Sequence, residues 1–210
     1  MRWDGGVRRL QMEVRGTDPS GTAQHVFPML RGHTVDVLAL LDDGTNLWVI
    51  FVGQWRMPIA EINLSNPSGS VEEADFKSTA LNELNEELNT EGVELAWSPL
   101  VNMGALLTGS ERPFTVSPGG IDEYVTHYVT KAKVSPAAIK ALHGRVAGLQ
   151  HEGERTTSHV IRLDKAFAYQ AADDRAPDEK TIASLLMYLH LRGLYRGGQL
   201  APFKNIDNIF

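Results

Sequence analysis

The order of strand-like and helix-like segments constrains this chain more than any other feature. Residues 33–41 are strand-forming, Asp42-Asp43-Gly44 reads as a turn, and residues 47–52 are strand-forming again. Asp-Gly between two such runs is a strong hairpin signal. A further extended stretch over about 59–64 ends at Asn66-Pro67-Ser68-Gly69. The first helix follows over about 76–89, where Ala80, Leu81, Leu84 and Leu88 recur at three- and four-residue spacing as one buried stripe. Strands are expected at about 100–107, 124–131 and 159–163, and short helices at 135–142 and 164–171. A closing helix over 178–192 carries Ile182, Leu185, Leu186 and Leu189 on one side. Strict strand–helix–strand alternation is absent. The pattern therefore predicts an α/β (α+β) fold, a mixed sheet sandwiched with helices rather than a doubly wound one.

The chain of 210 residues is 42% hydrophobic and 22% charged, which excludes a disordered tail or a collagen-like repeat. It has no cysteine, so a disulfide scaffold, a Cys-ligated zinc site and a Cys nucleophile are excluded. No stretch approaches the length of an apolar membrane span, and the N-terminus has no signal-like apolar run. The expectation is a soluble, cytoplasmic protein with no membrane partner. Residues 1–31 alternate weakly (Val7, Leu10, Met12, Val14) and read as a β-ribbon that cannot bury both faces by itself.

The helix over 76–89 carries the chemistry. Glu83 and Glu87 are four residues apart and Glu86 is three from Glu83, so the three project from neighbouring positions. Such a cluster is either a solvated acidic face or a site for a hard cation, since Mg²⁺ favours carboxylate oxygen. Between Val71 and Glu94 there are eight acids and one base, a sum of −7; the whole chain carries −6, so the remainder carries +1. The acidity is thus local. A nucleic-acid binder would be basic overall, so that partner is not expected. Gly-x-Ser-x-Gly, Walker and Gly-x-Gly-x-x-Gly patterns are all absent.

Residues 69–90, GSVEEADFKSTALNELNEELNT, resemble the box of the Nudix hydrolases, G-x5-E-x7-R-E-U-x-E-E-x-G-U with U aliphatic. Gly69 matches the opening Gly and Glu83-Leu84-Asn85-Glu86-Glu87 matches E-U-x-E-E. The differences are Asn82 for the family Arg, Asp75 for the first Glu, Asn89 for the closing Gly, and a loop one residue shorter. Other segments resemble the ADP-ribose pyrophosphatase-like subfamily in the same order. They are Arg31-Gly32-His33, Gln54-Trp55-Arg56, Ser117-Pro118-Gly119-Gly120-Ile121-Asp122-Glu123, the acidic loop His151-Glu152-Gly153-Glu154, and the helix from Asp178. The subfamily's Glu before the Pro-x-Gly turn is Ser65 here.

The resemblance implies a Nudix domain over 32–198, an N-terminal extension over 1–31 serving dimerisation, and a tail over 199–210. It implies Mg²⁺, with Mn²⁺ as the alternative, held by Glu83, Glu87, Glu86 and the carbonyl of Ser68. Glu154 or Glu152 would be the general base, with Glu86 as a ligand or a water-holding carboxylate. Arg56 and Glu123 would contact a small nucleoside diphosphate substrate. The Arg56 fork suits a phosphate or ribose, or simply pairs with nearby Glu61; Trp55 and Phe27 offer faces for a base, or pack in the core. The activity implied is Mg²⁺-dependent hydrolysis of ADP-ribose or a related nucleoside diphosphate sugar by a homodimer. The alternative is a nucleotide-binding module on the same scaffold with weak or no hydrolysis, and a further one is a structural or interaction protein.

Overall fold

The computed structural model describes residues 10–11, 13–17, 19–71, 75–88, 90–148, 155–172, 175–200 and 206–210. Near the N-terminus, β1 (Leu10–Gln11) pairs antiparallel with β4 (Met29–Leu30), and between them β2 (Val14–Thr17) pairs with β3 (Ala23–Val26). These short ladders are separate from the main sheet. The described part of the expected ribbon thus forms two short two-stranded ladders, while Val7 and Met12 lie outside the described residues.

The main sheet grows from β5 (His33–Asp42) and β6 (Leu47–Arg56). Their turn is fixed chemically: the Asp43 carboxylate accepts the N–H groups of Thr45 (2.8 Å) and Asn46 (2.7 Å) and the Trp48 indole N–H (2.8 Å). Gly44 sits there at φ +83°, a conformation side chains disfavour. Then come β7 (Glu61–Ser65), β8 (Ser68–Ser70) and α1 (Phe76–Glu87). After them lie β9 (Val101–Asn102), α2 (Met103–Thr108), β10 (Phe114–Val116) and β11 (Glu123–Lys133). The chain continues with α3 (Pro136–Leu142), β12 (Val146–Ala147), β13 (Thr156–Arg162) and α4 (Ala166–Gln170). It ends on β14 (Ala176–Pro177) and α5 (Glu179–Arg196).

The central strand order is β10-β11-β5-β6-β13-β12, with β11 and β5 parallel in register from Tyr124–His33 to Lys133–Asp42. The other edge of β5 is shared. Its last residues, Ala39–Asp42, pair with β6, whereas Thr34–Asp36 pair with β8. β6 thus diverges from β5 toward β7 and β13, and the Ser68–Ser70 strand enters where the two part. That divergence places the candidate site.

Helices cover both faces, as the mixed sandwich required. On one face Leu38, Leu40, Val49, Phe51 and Val129 pack with Leu185, Tyr188 and Leu191 of α5. On the other, Val35, Val37, Ala39, Leu41, Ile50 and Val52 pack with Ala80, Leu84 and Leu88 at α1 and with Ile139 and Leu142 of α3. Burial on both sides is why β5 is buried without interruption from Thr34 to Leu41. Of the segment expected as a tail, Ile206 and Ile209 are buried in this core with Tyr188 and Leu191.

One element differs from expectation. The strand expected over 100–107 is two residues of strand followed by α2. Asn102 caps that helix by accepting the Ala105 N–H (3.0 Å), and Gly109 ends it at φ +69°. A short apolar run has no decisive period, and the caps set its state. No helix among the described residues is long and apolar enough to cross a membrane.

Candidate functional site

The carboxylate cradle is built by α1 and β8. Asp75, at the box position where the family has Glu, is the helix N-cap, accepting the N–H (3.1 Å) and hydroxyl (2.7 Å) of Ser78. These bonds hold its carboxyl below the usual range. From that start the helix turns Ala80, Leu84 and Leu88 inward, while Leu81 of the expected stripe is exposed, and it brings Glu83 and Glu87 to the Ser68–Gly69 strand. The Ser68 N–H donates to Glu87 Oε2 at 3.0 Å, and Glu87 is buried. Glu83 lies so close to Gly69 that a Cβ there would sit 1.6 Å from its Oε1. Only a glycine leaves room for that carboxylate.

Glu86 is exposed, one residue off the cradle, and Asn82 is exposed too. Asn89, Glu152 and Glu154 lie outside the described residues. The flanks of the acidic loop are described, however. The Gly148 N–H donates to the Glu86 carbonyl (3.2 Å) and the Thr156 hydroxyl to the Glu87 carbonyl (3.2 Å). Both ends of the loop are therefore tied to the last turn of α1.

The remaining candidates share this end of the sheet without joining the cradle. Trp55 and Arg56 end β6 on a protruding hairpin; Trp55 is paired across the ladder with Ile62 and Arg56 with Glu61. Trp55, Arg56 and Phe27 are all exposed. Neither aromatic is core. Glu123 is different: it is buried and accepts from Thr34 Oγ1 (3.1 Å), Lys180 Nζ (3.1 Å) and Arg31 Nη1 (3.3 Å). Its carboxylate is committed to pinning α5 and the Arg31–Gly32 turn to the sheet. Beside it, the Asp122 carboxylate accepts the Arg31 and Gly32 N–H groups, which hold its carboxyl below the usual range.

The sequence reading missed a buried polar cluster under α5. Asp36 Oδ2 accepts from His127 Nδ1 (3.1 Å), Asn66 Nδ2 (3.0 Å) and the Ser184 hydroxyl. All four residues are buried. Burial alone would raise the Asp36 carboxyl, but the His127, Ser184 and Asn66 contacts outweigh it and hold it low. The available signal was a lone Asp in the middle of an apolar strand. His159 Nδ1 also meets the Tyr169 hydroxyl at 2.8 Å, and the Arg175 guanidinium lies 4.2 Å from the Tyr169 ring centre.

Chemically, two carboxylates and a main-chain strand offer hard oxygen donors on one side only. Among the described residues, no three His, Asp or Glu side chains form a ready metal cage. An incomplete all-oxygen set suits Mg²⁺, which keeps waters and shares its shell with phosphate. A cavity of about 400 Å³ lies at the opposite end of the sheet, lined by Leu47, Arg162, Phe167 and Arg192 among others, and contains none of these residues.

A mixed sheet between helices, with paired carboxylates seated on a glycine, defines a Nudix-type scaffold. A solved structure described as that of an ADP compounds hydrolase shares the fold, with a TM-score of 0.57 and 14% identity over 91% of this chain and 94% of that one. No family model matches the chain. It is 30% identical, over 95% of its length and 69% of the relative's, to Nudix hydrolase 14, chloroplastic, of Arabidopsis thaliana. The chain belongs to the Nudix hydrolase family.

Proposed function

We propose that this protein hydrolyses the diphosphate bond of ADP-ribose or a related nucleoside diphosphate sugar with the aid of Mg²⁺. One observation carries the reading. Glu83 and Glu87 are seated against Ser68 and Gly69, and the loop bearing Glu152 and Glu154 is tied by both ends to that same helix turn. Glu83, Glu87 and the Ser68 carbonyl would hold the ion, with Glu86 reached from the exposed side of the turn. The bound ion would supply charge neutralisation and water activation. Glu154 or Glu152 takes the proton of the attacking water, from a loop only a few residues from its anchors. The Arg56 fork at the hairpin binds phosphate or ribose, and Trp55 and Phe27 present faces for the base.

Membership of the Nudix hydrolase family, and a fold shared with an ADP compounds hydrolase, support hydrolysis of a nucleotide compound. A metal-dependent screen of nucleoside diphosphate compounds with product identification tests the reading. AMP and ribose 5-phosphate from ADP-ribose are expected, and no turnover of any compound would sink it. The exposed Asn82, where the family has Arg, favours a second reading of binding without hydrolysis. Tight calorimetric binding without product would select that one.

A homodimer is part of the proposal. Met57, Ile59 and Ile62 are all exposed along the β6–β7 hairpin, an apolar row that a second copy would cover. Light scattering should give twice the mass of one chain; a stable monomer would refute this.

A further inference from the structure

We propose that Thr181, Asn66 and Asp36 form a buried positioning unit that sets the carboxylate cradle, which makes α5 a working part of the site. This rests on the reading of Glu83 and Glu87 as metal ligands. The contacts run without a gap. The Asn66 N–H donates to Thr181 Oγ1 at 2.8 Å, and Asn66 Nδ2 donates to Asp36 Oδ2 at 3.0 Å. The next residue, Pro67, accepts the Val37 N–H through its carbonyl at 2.9 Å. One residue on, the Ser68 N–H holds Glu87 Oε2 at 3.0 Å. The turn from Ser65 to Ser68 is therefore gripped by α5 on one side and β5 on the other, and its far end grips the cradle.

Thr181 is itself held: its N–H and hydroxyl contact Asp178 Oδ1, the α5 cap, at 2.9 and 3.0 Å. Asp36 is braced by His127 from β11 and Ser184 from α5. Each member is buried, so each has one partner set rather than a choice that includes water. Apolar side chains of the same volume would pack there at less desolvation cost, but they would not fix the backbone of Asn66. Partners behind metal ligands orient them, and losing one typically weakens metal affinity about 10- to 100-fold. Here the partner is a backbone N–H, and the unit sets where that N–H lies.

The test uses the full chain and Mn²⁺ alone as probe, read by electron paramagnetic resonance, with thermal unfolding measured in parallel. Thr181→Val keeps the shape and removes the acceptor; Thr181→Ser keeps the acceptor. The expectation is a Mn²⁺ dissociation constant raised about 10-fold in Thr181→Val and near wild type in Thr181→Ser. Tyr188→Phe, which removes a hydroxyl contact to the Ile209 carbonyl at the other end of α5, should leave it unchanged. If Thr181→Val loses thermal stability but binds Mn²⁺ like wild type, the unit is merely structural and the inference falls. If Thr181→Val does not fold, Asp36→Asn is judged by the same criterion. If wild type and Glu87→Gln bind Mn²⁺ equally poorly, the metal-site reading itself has failed, and this inference with it.

Discussion

The two ends of α5 rest on the same strands but meet different chemistry. Its first turns present Lys180, Thr181 and Ser184 to Glu123, Asn66, Asp36 and His127. Its later turns present Leu185, Tyr188 and Leu191 to Leu38, Leu40 and Val129, with Ile206 and Ile209 closing over them. There Tyr188 stacks on Phe210 at 5.6 Å, and burial pushes its phenol up to about 12. Apolar burial yields net stability, whereas exchanging water for internal hydrogen bonds yields little while fixing geometry. The helix thus divides its labour: the apolar end holds it on, and the polar end decides where the neighbouring turn lies.

The division can be attacked from the apolar side first. Leu191→Ala empties a fully buried position and should cost about 2–5 kcal/mol in denaturant unfolding, with Mn²⁺ affinity unchanged. A loss of metal binding matching the loss of stability would dissolve the distinction. At the polar end the finer probe is pH. The Asp36 carboxyl is held below its ordinary 3.8 in the folded state, so its contribution is present above 3.8 and lost as pH falls through the folded value. Asp178 has the opposite sign: burial raises its folded value, so its contribution is present below 3.8 and lost as pH rises through that value. Unfolding midpoints followed into acid should show the Asp36 loss flattened in Asp36→Asn. An unaltered profile would remove Asp36 from the account. The smallest effect concerns the α5 cap: Asp178→Ala should cost about 1 kcal/mol and Asp178→Asn close to nothing, since Asn caps equally well.

Much of the frame was legible because it is periodic. Leu84 and Leu88 at α1 and the Asp-Gly turn between β5 and β6 announce themselves within a few residues. The short apolar run at Val101–Leu107 did not, because its state depends on the Asn102 cap and Gly109. The helix α5 was legible as a helix but not by its buried face: Leu186 and Leu189 of the expected stripe are exposed, and Thr181, Ser184, Leu185, Tyr188 and Leu191 are buried instead. Within the site, Gly69 and the glutamates of α1 were readable as a local pattern. Glu123 was legible as part of its turn, but its three partners were not. The Asp36 cluster was out of reach for a different reason. His127 lies 91 residues and Ser184 148 residues from Asp36 in sequence, and they meet only because β11 and β5 run parallel with His127 opposite Asp36.

Everything proposed for the site depends on the carboxylates seated on Gly69 carrying the chemistry. Rates of AMP release from ADP-ribose with Mg²⁺, measured side by side for wild type and Gly69→Ala, put that dependence to the test. A methyl group at position 69 must displace Glu83 and little else, since the atoms nearest to it all belong to that side chain. AMP is expected from the wild type, and release about 100-fold slower from Gly69→Ala, at nearly the same melting temperature. Equal rates from the two proteins would contradict the proposal.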